Sequence, residues 1–146
     1  MSIGTREKVA RNLSFLHASA RTDLLTLAPV GVRTELVALL LDLTTHSFGL
    51  LVTAMKTDHG PDPPGSVHGH EQGWAVDMWA SDVRRLVIVA LESRWCWTVG
   101  LGGEAIDYLA DARKRASSEQ IVFVDNDQDH VHLQAGNANG EGLRPR

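Results

Sequence analysis

With 146 residues, 43% hydrophobic and 22% charged, the chain fits one soluble globular domain that can bury a core without staples. Its formal net charge is -4, with acids and bases interleaved, which excludes the clustered Lys/Arg face of a nucleic-acid binder. The nearest basic cluster, Arg113-Lys114-Arg115, reads as a solvated helix end. The single cysteine, Cys96, excludes an intrachain disulfide and reads as a small buried thiol between Trp95 and Trp97.

The opening MSIGTREKVARNLSF is charged and lacks the apolar run of a signal peptide. Synthesis in a cytoplasm is therefore expected. The longest apolar run, LVALLLDL, is too short for a membrane span. Helical spacing of Val9, Leu13 and Leu16 predicts a first helix from Gly4 to about Ser19. Pro29 and Gly31 break the chain before a second helix, whose stripe is Val32, Leu36, Leu39, Leu40 and Leu43. FGLLVTAM reads as a strand ending at Lys56, and HGPDPPGSVHG as a surface loop. GWAVDMW alternates like a strand, with Trp74, Val76 and Met78 on one face and Ala75, Asp77 and Trp79 on the other. Ser81 is the expected N-cap of a helix over DVRRLVIVALES. Then come strand WCWTVGL, turn Gly102-Gly103, helix GEAIDYLADARKRA, strand IVFVD, turn NDQD and strand HVHLQ. Helices and strands mix without regular βαβ alternation, which predicts an α+β fold with a mainly antiparallel sheet and flanking helices. One domain over 1–135 is expected, with helices in 1–45 and the core in 46–135. The glycine- and asparagine-rich stretch 136–146 reads as a flexible tail.

The 7 histidines are unevenly spread. His59, His68 and His70 bracket the proline-rich loop, and His130 and His132 form a second pair, on one face of a strand. His17 and His46 stand alone and read as surface or satisfied core residues. Imidazoles and a carboxylate are a zinc donor set, and a catalytic site uses three protein ligands with one position open. Gly73 can supply the turn between His70 and Asp77. On spacing alone, a zinc site and a plain polar loop stand equal. Likewise Asp129 is either a turn residue beside Asn126 and Asp127 or a general base.

HEQGWAVD, from His70 to Asp77, matches the H-x-x-G-x-A-x-D signature of zinc D-alanyl-D-alanine carboxypeptidases. DHVH, from Asp129 to His132, resembles that family's second motif, an acid three residues before the last ligand. The family includes D,D-dipeptidases and phage L-alanyl-D-glutamate endopeptidases, and the hedgehog signalling domain shares its fold. The resemblance runs from about Phe48 to Gln134. It implies a hedgehog/DD-peptidase-like fold and one Zn2+ held by His70, Asp77 and His132. It also implies Asp129 as general base and His130 as a cleft residue near the developing oxyanion. The expected activity is hydrolysis of peptidoglycan stem peptides by water that the metal activates. Lys56 stands where the family carries a substrate-holding arginine, and His68 where it carries serine. Both are expected at the substrate, with Trp74 as a cleft-lining candidate or a packing residue. A protein released to the cell wall, or carried in a virion, would suit this activity. The competing reading is a non-catalytic, zinc-stabilised structural or interaction module on the same fold.

Overall fold

The stripe's Leu36, Leu39, Leu40 and Leu43 lie on the longest helix and are all fully buried, while Val32 precedes the helix and is buried too. The computed structural model describes residues 2–62, 69–136 and 143–146. Among these the chain runs α1 (Ile3–Arg11), β1 (Ser14–Phe15), α2 (Ala18–Leu25), α3 (Thr34–His46), β2 (Leu50–Ala54) and β3 (Ala75–Ala80). It continues with α4 (Val83–Glu92), β4 (Thr98–Gly102), a 3-10 segment (Gly103–Tyr108), α5 (Leu109–Arg115), β5 (Ile121–Val124) and β6 (His130–Gln134). Asp82, not Ser81, caps α4, accepting the Arg85 N–H at 3.0 Å. No described helix is long and apolar enough to cross a membrane.

The first predicted helix is divided. Asn12 ends α1, and Ser14 and Phe15 pair in parallel with Leu51 and Val52. The presumed stripe does not continue, since Leu16 is 59% exposed. The buried Arg6 guanidinium ties the helical region together, donating to the carbonyls of Leu24, Thr26 and Val32 at 2.8–2.9 Å.

The six strands lie in the order β1-β2-β3-β6-β4-β5. The three central pairings are antiparallel and the two outer ones parallel, so the sheet is mixed rather than mainly antiparallel. The reason is connection length. Parallel neighbours need long crossovers; α2 and α3 lie between β1 and β2, and α5 lies between β4 and β5. Val76, Met78, Val99, Leu101, Val131 and Leu133 join the stripes of α3 and α4 in the core. Strand alternation then sends Asp77, His130, His132 and Gln134 to the opposite face. Within the stretch expected as a flexible tail over 136–146, residues 143–146 are docked, and 137–142 lie outside the described residues. Arg146 donates to the carbonyls of Leu91, Ser93 and Cys96 and to Ser117 Oγ, at 2.8–3.1 Å.

Candidate metal centre

β3 and β6 are antiparallel neighbours, and their register sets Asp77 directly opposite His132. Gly73 brings the third residue in. Its φ of +79° closes a turn in which its N–H donates to the His70 carbonyl at 3.0 Å. Arg33 clamps the turn, its backbone N–H on the Gly73 carbonyl and its Nε on that of Gln72. His70 Nε2, Asp77 Oδ1 and His132 Nδ1 consequently lie 3.0–3.2 Å from one another.

The outer nitrogens of both rings settle their tautomers. His70 Nδ1–H donates to the Met55 carbonyl, which can only accept. His132 Nε2–H donates to Gln134 Oε1 at 2.6 Å, and the Gln134 amide group donates onward to the Gly136 carbonyl. In neutral rings this leaves lone pairs on His70 Nε2 and His132 Nδ1, both aimed at the Asp77 carboxylate. Burial pushes the His132 imidazole below its ordinary range, favouring the neutral ring. Burial works against the charge of Asp77, but hydrogen bonds to His132 and His70, and their fields, hold its carboxyl well below the usual range. With both rings neutral, the two imidazoles and the carboxylate together could hold a metal ion.

The donor triangle fits a metal. Bonds of about 2.0–2.1 Å in a tetrahedral zinc site place neighbouring donors about 3.3–3.4 Å apart. A second set, His59 with His70 and Asp77, could also hold an ion, its ligand atoms all lying within 4.8 Å of one another. The His132 set fits better. The His59 ring lies flat on His70, with centroids 3.7 Å apart and planes 5° apart. Stacked rings direct their nitrogen lone pairs along parallel planes, so His59 would share an ion with His70 only after its ring rotates.

A cleft of about 460 Å³ opens beside this cluster, lined among others by Asp58, His59, Asp77, Asp129 and His130. Asp129 is exposed, and its Oδ1 accepts the Glu104 N–H at 2.8 Å. His130 Nε2 meets Asp125 Oδ2 at 2.8 Å, and its Nδ1–H donates to the Gln128 carbonyl at 2.7 Å. Burial opposes the His130 charge, but the Asp125 hydrogen bond and the Asp77 field prevail and raise its pKa to about 9. Gly102 and Gly103 make room, since a Cβ there would approach His130 to 2.4 Å and Asp129 to 2.2 Å.

The other expected site residues lie elsewhere. Lys56 Nζ donates to the carbonyls of Pro29 and Val30, both at 2.8 Å, and Lys56 is not among the cleft-lining residues. Trp74 is buried, with Arg33 over its ring at 5.2 Å and its indole packed against Gly69. It too lies outside the cleft lining. His68 lies outside the described residues. Sequence reasoning missed Gln134 and Asp125 as partners of the histidines, and His17 as a cleft residue. Gln134 had a signal, two residues after His132 on the same strand face. Cys96 is fully buried, which pushes its thiol up to about 12 and removes it as a nucleophile. No family model, curated protein or solved structure matches the chain.

Proposed function

We propose that the chain is a zinc-dependent peptidase acting on D-amino-acid-containing peptides of the peptidoglycan stem type. It would work at a cell wall after release, or from a virion. The observation that carries the reading is the set of three convergent acceptors whose tautomers are held by Met55 and Gln134. Two imidazoles and one carboxylate leave a position open, the pattern of catalytic rather than structural zinc. Bound zinc would supply a Lewis acid that polarises the scissile carbonyl and activates water.

The chain's own residues divide the remaining work. Asp129, steadied through Oδ1 by the Glu104 N–H, takes the proton of the attacking water and passes it to the leaving amine. His130, fixed by Asp125 and Gln128, brings positive charge toward the developing oxyanion. Neither acts as a ligand.

The test counts zinc in the purified protein and follows peptide release from cell walls for wild type and Asp129→Ala. One zinc per chain in both, with release reduced by about 10²-fold or more in the variant, supports the peptidase. Zinc without release from the wild type favours the non-catalytic module.

A further inference from the structure

His59 lies against the centre and has no part in the reading above. Its donor atoms group with those of His70 and Asp77, and its ring rests on His70 at the wall of the cleft. Its Nε2 stands 4.0 Å from Asp77 Oδ2, the oxygen that the other two histidines do not use. The side chain is 23% exposed, so the ring has room to turn.

A second observation concerns the other nitrogen of that ring. Asp62 Oδ1 is buried and has no hydrogen-bond partner among the described residues. Buried carboxylate oxygens are normally paired. The rest of Asp62 is fixed: its Oδ2 accepts the Glu71 N–H at 2.9 Å, and its own N–H donates to Glu71 Oε2 at 3.3 Å. His59 Nδ1 stands 3.9 Å from Asp62 Oδ1, too far for a hydrogen bond, and meets the Gly60 carbonyl at a long 3.3 Å. A turn of the ring that sets the Nδ1–H on Asp62 Oδ1 satisfies the carboxylate and leaves Nε2 as the donor atom. A carboxylate behind a ligand histidine fixes its tautomer and raises its basicity. Met55 and Gln134 stand behind His70 and His132 in the same way.

We infer that His59 is a fourth, displaceable metal ligand. Backed by Asp62, its Nε2 fills the position that His70, Asp77 and His132 leave open, and it returns to its place on His70 before a substrate carbonyl reaches the ion. This rests on the peptidase reading and adds a regulation to it: the resting site is closed, and the stacked ring is the open arrangement.

Proton NMR of the full chain loaded with cobalt(II) in place of zinc tests this, because each coordinated imidazole contributes one exchangeable N–H signal shifted far outside the ordinary range. The wild type should show three such signals, from His59, His70 and His132, and His59→Ala should show two. Azide, followed by the cobalt absorption, probes the fourth position. A position that His59 holds about nine-tenths of the time lowers apparent azide affinity about tenfold, so His59→Ala should bind azide about tenfold tighter. The same variant should bind zinc about tenfold or more weaker, at least the cost of losing a backing partner. A merely structural role for His59 would weaken both. Asp62→Asn keeps an acceptor for the Glu71 N–H and should tighten azide binding by a smaller factor. Two signals in the wild type, three that persist in His59→Ala, or unchanged azide binding in either variant would overturn the inference. The wild-type signal count decides the matter if a variant does not fold. Three signals from a protein that releases no peptide from cell walls would sink the peptidase reading and leave the fourth ligand standing. A wild type that takes up no cobalt would remove both.

Discussion

Gln134 decides which nitrogen of His132 faces Asp77. By accepting the Nε2 proton at 2.6 Å it turns Nδ1, as the candidate donor atom, toward Asp77 and His70. Gln134→Ala should therefore keep the fold but lower zinc affinity about 10–100-fold, read by competition with a chromophoric chelator. Cys96 makes a pH prediction. An unfolded thiol titrates near about 8.5, whereas burial holds this one up to about 12. The native state therefore disfavours the thiolate. Its contribution to stability is complete below the unfolded value and fades as pH rises from there toward the folded one. A disulfide reagent at pH 8 should leave the native thiol unmodified and label it fully in denaturant; rapid native labelling would contradict the burial.

Two strands and one turn carry the centre at the scale of elements. Gly73, at φ +79°, carries His70 toward β3, and a Cβ there would come within 3.1 Å of the Gly31 carbonyl oxygen. Gly73→Ala should cost about 1–2 kcal/mol in urea unfolding and weaken zinc binding as well. Most elements were legible in the sequence, because apolar stripes and alternation report local conformation directly. His70, Asp77 and His132 were legible as candidate ligands from their motif spacing, but the facing of Asp77 and His132 was not. That facing depends on β6 being the neighbour of β3, a choice made by the whole sheet. The Met55 carbonyl has no residue-type signal, since every residue carries one. The Lys56 contacts with Pro29 and Val30 were not legible, because sequence gives a residue's position on the chain but not the direction of a long side chain. The parallel outer pairs escaped notice because they follow from where the crossovers return.

The helical region and the centre are joined across the whole molecule. Asp23 of α2 receives the Thr57 N–H and hydroxyl, both at 2.7 Å, just beyond the Met55 carbonyl that orients His70. The N-terminal helices thus brace the site from outside the span of the two motifs. At the far side Arg146 pins the end of α4 to the start of β4 through the Leu91, Ser93 and Cys96 carbonyls. Arg146→Ala should lower stability by about 1–3 kcal/mol in urea unfolding, since it strips several partly buried carbonyls of their donors. Zinc stoichiometry should stay unchanged, because the strap lies away from the ligands. The central claim is that His70, Asp77 and His132 close around one ion. Equilibrium dialysis against zinc with a competing chelator, followed by metal counting, tests it most directly in wild type and the three single alanine variants. The account predicts one zinc per wild-type chain and a large loss in each variant. No zinc in the wild type, or full retention when all three ligands are replaced in turn, would contradict it.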